Sequence, residues 1–193
     1  MKPADSIDSL RRLVYAALFA ALTAVGAYLS IPVGPVPIVL QNLFVMLAGL
    51  LLGRRGGVAS VGLYLLAGAC GLPVFAGGSG GLARFFGPTG GYLIGYLPAV
   101  WVIGLIAETS RPRALRDGLA LIAGCLVLYA CGLAWLKVLT GMDWPKTLAI
   151  GMLPFLPGDA LKIAVAVALA KALRPLLPSP ASVLSPARPE GSS

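Results

Sequence analysis

The sequence predicts an all-α integral membrane protein, a compact bundle of six transmembrane helices with Gly/Pro-rich outer loops. Three observations carry this. Apolar residues make up 58% of the 193-residue chain and charged residues only 11%, against about 25% charged in a soluble domain. Six apolar stretches span a bilayer or nearly so, given that a spanning helix needs about 20 residues. The lysines and arginines gather on alternate connections instead of being spread evenly.

Residues 1–12 read as a cytoplasmic arm. The arm carries Lys2, Arg11 and Arg12 but also Asp5 and Asp8. That mixture, ahead of a run long enough to span, does not match a cleavable signal peptide. The first helix is expected over 13–31. The second, over 38–53, is short and takes support from its flanks, a proline-rich turn before it and Arg54-Arg55 after it. The third to sixth are expected over 58–75, 91–107, 119–139 and 157–173. Together, residues 13–174 form the membrane domain. Residues 175–193 are rich in Pro, Ser and Ala; they cannot bury a core and read as a disordered cytoplasmic tail.

Charge sets the orientation, because cytoplasmic loops carry the excess of Lys and Arg. With the N-terminus inside, the inner segments collect Lys2, Arg11, Arg12, Arg54, Arg55, Arg111, Arg113, Arg116, Lys171, Arg174 and Arg188. The outer segments collect only Arg84 and Lys146. Both termini are therefore expected in the cytoplasm of a multi-pass cell-membrane protein. Cys70, Cys125 and Cys131 lie singly in apolar segments and the chain has no histidine. A disulfide framework or cysteine metal site is not expected, and the three thiols read as small buried hydrophobes. Histidine-based catalysis is excluded, and no metal site is expected.

The outer connections are the unusual ones. Ile31-Pro-Val-Gly-Pro-Val-Pro-Ile38 has three prolines and no charge. Residues 71–91 include Gly77-Gly-Ser-Gly-Gly81 and Gly87-Pro-Thr-Gly-Gly91, and residues 141–156 begin a short interfacial helix at Trp144-Pro145. Irregular backbone at membrane depth persists only where it is buried in protein or lines a cavity. Three such loops on one side predict a lidded pocket open to the outside. The glycine-rich loop lacks the Gly-Lys-Ser/Thr ending of a phosphate-binding loop.

The segment Leu153-Pro-Phe-Leu-Pro-Gly-Asp159-Ala-Leu-Lys162 places an acid and a base on one helical face. Ionisable groups at membrane depth cost roughly 2.5–3.5 kcal/mol each on insertion scales, so they usually serve a function. Asp159 and Lys162 are the leading pocket candidates; the alternative is an ion pair that satisfies itself or caps the helix. Gln41 and Asn42 follow the proline turn, and buried amides need partners. Gln41 is open between a structural and a ligand role, whereas Asn42 reads as backbone-bonded. Arg84 is either an exposed cation or a planar donor for a carboxylate. Tyr92 and Tyr96 lie one turn apart and read as interface belt residues, unless one faces inward to line the pocket. Trp101 reads as packing and Lys137 as an interfacial anchor. Ala16, Ala20 and Ala24, with Ala17 and Ala21 alongside, make a small-residue face that permits close helix approach, within the chain or to a partner.

The strings Ile31-Pro-Val-Gly-Pro-Val-Pro-Ile-Val-Leu-Gln-Asn-Leu43 and Gly71-Leu-Pro-Val-Phe-Ala-Gly-Gly-Ser-Gly-Gly-Leu-Ala-Arg-Phe-Phe-Gly-Pro-Thr-Gly-Gly-Tyr-Leu-Ile-Gly95, with 153–162, resemble BioY proteins over roughly residues 13–174. BioY is the biotin-binding S component of energy-coupling factor (ECF) transporters. The resemblance implies a six-helix subunit that captures biotin from outside and works with a transmembrane coupling protein and a pair of ABC ATPases. It matches Asp159, Lys162, Gln41 and Arg84 to the family's ligand-contacting positions, with loop aromatics and Tyr92 covering the rings. It likens the alanine face of Ala16, Ala17, Ala20, Ala21 and Ala24 to a docking surface for the coupling protein. No cofactor or nucleic acid is implied, biotin being the cargo, and a homo-oligomer is left open for the subunit alone. Two other classes stay open from the residues themselves. One is a membrane enzyme using Asp159 and Lys162, weakened by the lack of histidine or a second carboxylate. The other is a scaffold with no ligand.

Overall fold

A computed structural model describes residues 3–31, 36, 38–109 and 114–176. The expected arm is helical from Pro3, so α1 (Pro3–Tyr28) runs through it without a break. The chain then forms a two-residue antiparallel pair, β1 (Ser30–Ile31) with β2 (Ile38–Val39), in register Ser30↔Val39 and Ile31↔Ile38. This is a small departure from an all-α chain; prolines cannot continue a helix here. Most of the proline turn itself lies outside the described residues, as does 177–193 of the expected tail.

The next element, α2 (Gln41–Ala69), is broken at Gly53, whose φ of 71° and ψ of −174° are open only to glycine. The break turns the chain back on itself. A Cβ placed on Gly57 would lie 3.3 Å from the Cα of Gly49, although eight residues of straight helix would separate them by about 12 Å. The two halves, 41–52 and 54–69, thus pack against each other at glycines. Glu108 closes the break: its Oε1 accepts the Arg54 backbone N–H at 2.8 Å and its Oε2 lies 3.2 Å from Arg54 Nε. A carboxylate at the start of the second half also meets the positive end of the helix dipole. The expected helix over 58–75 stops short, at Ala69. Gly71 takes a positive φ of 96° and Pro73 follows.

Two long helices come next, α3 (Gly90–Glu108) and α4 (Ala114–Thr140). The short α5 (Trp144–Gly151) begins at the expected Trp-Pro signal, and α6 (Leu156–Leu173) leaves it at a bend of 47°. Among the described residues, four helices are long and apolar enough to cross a membrane, or five when α5 and α6 count as one bent span. Helix α3 packs between α2 and α4, and α1 and α6 both lie on α2. The core between them is apolar, with Val61, Val100, Ile103, Leu121 and Leu136 almost wholly buried.

Polar contacts mark the two ends of the bundle. At one end lie the Gly53 break, Glu108 and a half-buried pair in which Arg174 donates to both oxygens of Asp117, at 2.5 and 3.0 Å. Asp117 is 2% exposed. At the other end the loops enclose a cavity. Two smaller expectations change and a third holds. Cys70, just past the end of α2, is exposed, and Cys125 and Cys131 are half-buried instead of buried. Trp101 is 45% exposed and points away from the core. Lys137 does anchor locally: its Nζ donates to the Met142 carbonyl at 3.2 Å and lies 5.0 Å above the Trp144 ring.

Candidate functional site

The cavity measures about 430 Å³, within the range of small-molecule sites. Its walls come from sequence-distant elements: Gln41 and Asn42 at the start of α2, the 71–89 loop, Tyr92 and Tyr96 on α3, Tyr129 on α4, Phe155 before α6, and Asp159 and Lys162 in its first turns.

The loop is built and tethered by its glycines and aromatics. Gly77 and Gly78 both take positive φ, at 71° and 68°, closing a turn in which Phe75 N–H donates to the Ser79 carbonyl at 2.8 Å. Phe75 is turned inward at 2% exposure and meets Tyr64 and Phe85 edge to face, with centroids 5.5 and 5.6 Å away. Trp135 Nε1 donates to the Gly87 carbonyl at 2.9 Å, and the Tyr28 hydroxyl donates to the Pro73 carbonyl. The loop is therefore tied to α4 on one flank and α1 on the other. Tyr92 fits because Gly132 has no side chain; a Cβ there would overlap its ring. Its hydroxyl donates to the Gly151 carbonyl at 2.7 Å, fixing the ring against the α5 end.

The floor is polar. Lys162 Nζ donates to Asp159 Oδ1 at 3.0 Å, and the Tyr129 hydroxyl donates to Asp159 Oδ2. Asp159 is 4% and Lys162 8% exposed, so the pair is desolvated. Each carboxylate oxygen accepts about two hydrogen bonds, which leaves Asp159 able to accept more from the cavity. Beside it, the Tyr96 hydroxyl donates to Asn42 Oδ1. Gln41 is buried at 2%, and its Nε2 has no hydrogen-bond partner among the described residues. A buried orphan donor costs about 1–3 kcal/mol, so a ligand acceptor there would relieve it. Arg84 lies at the mouth on a 3₁₀ turn (Leu82–Phe86), exposed and without a described ion pair. The floor thus combines an acceptor, a cation and amide donors beneath aromatic walls, with a second cation at the rim.

The BioY family profile matches residues 1–179. The chain belongs to the BioY family. Among curated BioY relatives it is 45% identical, over 82% of this chain and 93% of the relative, to a protein of Pyrococcus horikoshii named probable biotin transporter BioY. It is 43% identical, over 86% of this chain and 98% of the relative, to the biotin transporter BioY of Thermotoga maritima. A crystal structure of the S-component for biotin from an ECF-type ABC transporter superposes with a TM-score of 0.81. It shares 34% identity, over 91% of this chain and 95% of that one.

Asp159, Lys162, Gln41, Arg84 and Tyr92 all line the one cavity. The alanines of α1 divide. Ala16 and Ala20 are buried at 8% and 6%, and Ala24 is packed against the core, so these face the bundle. Ala17 and Ala21 are exposed, beside Leu13, Val14, Leu18 and Val25. Phe75 and Phe155 are the loop aromatics that reach the wall, whereas sequence reasoning missed Tyr129, the second donor to Asp159. It also read Asn42 as backbone-bonded, whereas Asn42 accepts from Tyr96 and faces the cavity. The one available signal for Tyr129 was its place mid-run, away from the ends where belt tyrosines sit.

Proposed function

We propose that this chain is the substrate-capturing membrane subunit of a biotin uptake system. It takes biotin from the outer face and passes it inward with an ECF-type transmembrane coupling protein and ABC ATPases. The observation that carries this is the match between the cavity floor and the chemistry of biotin. Biotin presents two ureido N–H donors flanking a carbonyl, an apolar thioether ring and a tail carboxylate. Asp159 accepts a ureido N–H, and the Gln41 amide donates to the ureido carbonyl. Tyr92, Phe75 and Phe155 cover the ring. Lys162 is already committed to Asp159, so Arg84, unpaired at the mouth, meets the tail carboxylate as a planar two-pronged donor. No bond is made or broken, and the chain is a carrier subunit rather than an enzyme.

The same reading gives the membrane arrangement. The two halves of α2 count as separate segments, making six with α1, α3, α4 and α6, across residues 13–174. The cavity end faces out, and the Arg54, Glu108 and Asp117 end faces the cytoplasm with both termini. The exposed side of α1, including Ala17 and Ala21, offers the coupling protein a flat apolar face. Ala16, Ala20 and Ala24 let α1 lie close on α2. A second copy of the chain is the alternative occupant of that face when the subunit is alone.

The test is a thermal-shift titration of detergent-purified protein with biotin, alongside Asp159→Asn. Ligand that binds only the native state raises apparent stability once its concentration passes Kd. A saturating shift in wild type, weakened in the variant, is expected. No shift in folded protein overturns the proposal and redirects it to other vitamins.

A further inference from the structure

We infer that Tyr96 and Tyr129 set the hydrogen-bonding polarity of the cavity floor, and thereby its selectivity for a cyclic urea. This rests on the biotin reading above and deepens it. An amide side chain offers either a donor or an acceptor, because its oxygen and nitrogen ends are nearly the same shape. The Tyr96 hydroxyl donates to Asn42 Oδ1 and so turns the oxygen end of the amide toward Tyr96. Asn42, which lines the cavity, is left with its NH₂ group to present. The orphan Nε2 of Gln41 adds a second donor.

The Tyr129 hydroxyl acts on the opposite partner. It donates to Asp159 Oδ2 while Lys162 donates to Oδ1. The carboxylate is held from both oxygens, by α4 and by its own helix, and only its remaining lone pairs are free. Without the Tyr129 bond the carboxylate turns about its χ2 axis toward Lys162 and the two charges satisfy each other. With that bond in place, Asp159 stays an acceptor aimed at the cavity. The floor therefore reads donor, donor, acceptor, which complements a urea carbonyl beside its N–H. Neither tyrosine needs to contact the ligand with its hydroxyl; both are positioning residues.

The readout is a ratio, not an affinity. Kd is measured by calorimetry for biotin and for biotin methylated on the ureido nitrogens, in wild type, Tyr96→Phe and Tyr129→Phe. Desthiobiotin, which keeps the urea and loses the thioether ring, serves as the shape control. A site built to hydrogen-bond a substrate N–H rejects the analogue lacking it by about 10⁴–10⁵-fold. In Tyr129→Phe that ratio is expected to fall at least about tenfold, and in Tyr96→Phe by a smaller factor, since one flexible amide replaces a fixed one. The biotin-to-desthiobiotin ratio is expected to stay constant. A merely structural role moves all three affinities together and leaves both ratios at wild-type values; that outcome overturns the inference. An unchanged ratio with unchanged affinities overturns it equally. Absence of biotin binding in wild type refutes the transport reading itself, so the two failures are told apart.

Discussion

The buried Asp159–Lys162 pair allows stability and ligand capture to be separated in one experiment. The two side chains are 5% and 10% exposed and sit 3.0 Å apart. Asp159→Asn leaves an ammonium without its counter-charge, and Lys162→Met leaves a carboxylate with only the Tyr129 hydroxyl. Breaking a buried pair by removing one partner costs about 3–5 kcal/mol. The lower end fits here, because Tyr129 still bonds residue 159 in both variants. Removing both charges takes away both desolvation penalties, and neutral replacements of a buried pair are often tolerated without loss. The double variant Asp159→Asn/Lys162→Met is therefore expected to regain most of the stability lost by either single change. Biotin affinity follows a different rule. A hydrogen bond to a charged group contributes about 1.5–3 kcal/mol, so loss of the carboxylate weakens Kd about ten- to a hundredfold, in the single and the double alike. Ligand-free thermal unfolding in detergent reads the first quantity, and calorimetric titration with biotin reads the second. A double variant that regains biotin affinity together with stability would remove the carboxylate from the ligand site. Single variants as stable as wild type would show that the pair is not desolvated.

Further outcomes follow from the same geometry. Arg84→Ala is expected to change stability by less than about 0.5 kcal/mol, as for a surface position, yet to weaken biotin and abolish the preference for biotin over its neutral amide. Equal discrimination in variant and wild type would remove Arg84 from the carboxylate. Gly132→Ala drives a methyl group into the Tyr92 ring and is expected to cost about 1–3 kcal/mol of stability by overpacking, with weaker biotin capture, both read by thermal-shift titration. At the opposite end, Arg174→Met strands the 2%-exposed Asp117 carboxylate, whereas Asp117→Asn leaves a 20%-exposed guanidinium that reaches water. The first is expected to cost about 3–5 kcal/mol and the second about 1–3 kcal/mol, with biotin Kd unchanged in both; the reverse order in thermal unfolding would contradict the assignment of burial.

Much of the site was legible because its signals are local. Asp159 and Lys162 are three residues apart, and a helix puts such a pair on one face whatever surrounds it. Gln41 follows a proline turn, and Arg84 is a charge inside a glycine-rich apolar loop. Each is conspicuous because a polar group in apolar sequence must find a partner. Tyr129 carries no such mark: a tyrosine in an apolar run packs equally well as a hydrophobe. The same ambiguity hid the roles of Asn42 and Tyr96, whose partner in each case is 54 residues away.

Composition, hydropathy and charge placement by themselves determined a multi-helix membrane chain with irregular, pocket-forming loops at one end. These are sums over neighbouring residues, and the cost of burying backbone and charge in an apolar medium fixes them without knowledge of contacts. The interruption between the second and third apolar runs was also implied, by Arg54 and Arg55 between them. Only the tertiary structure decided that the turn is made by Gly53 alone, inside one continuous element and under the Glu108 carboxylate. It alone turned Ala16 and Ala20 toward the bundle while leaving Ala17 and Ala21 outside, and brought Tyr129 to Asp159 across 30 residues. Which face of a helix is covered, and which hydroxyl meets which carboxylate, depends on the mutual packing of all the helices; an alanine or tyrosine in sequence is compatible with either outcome.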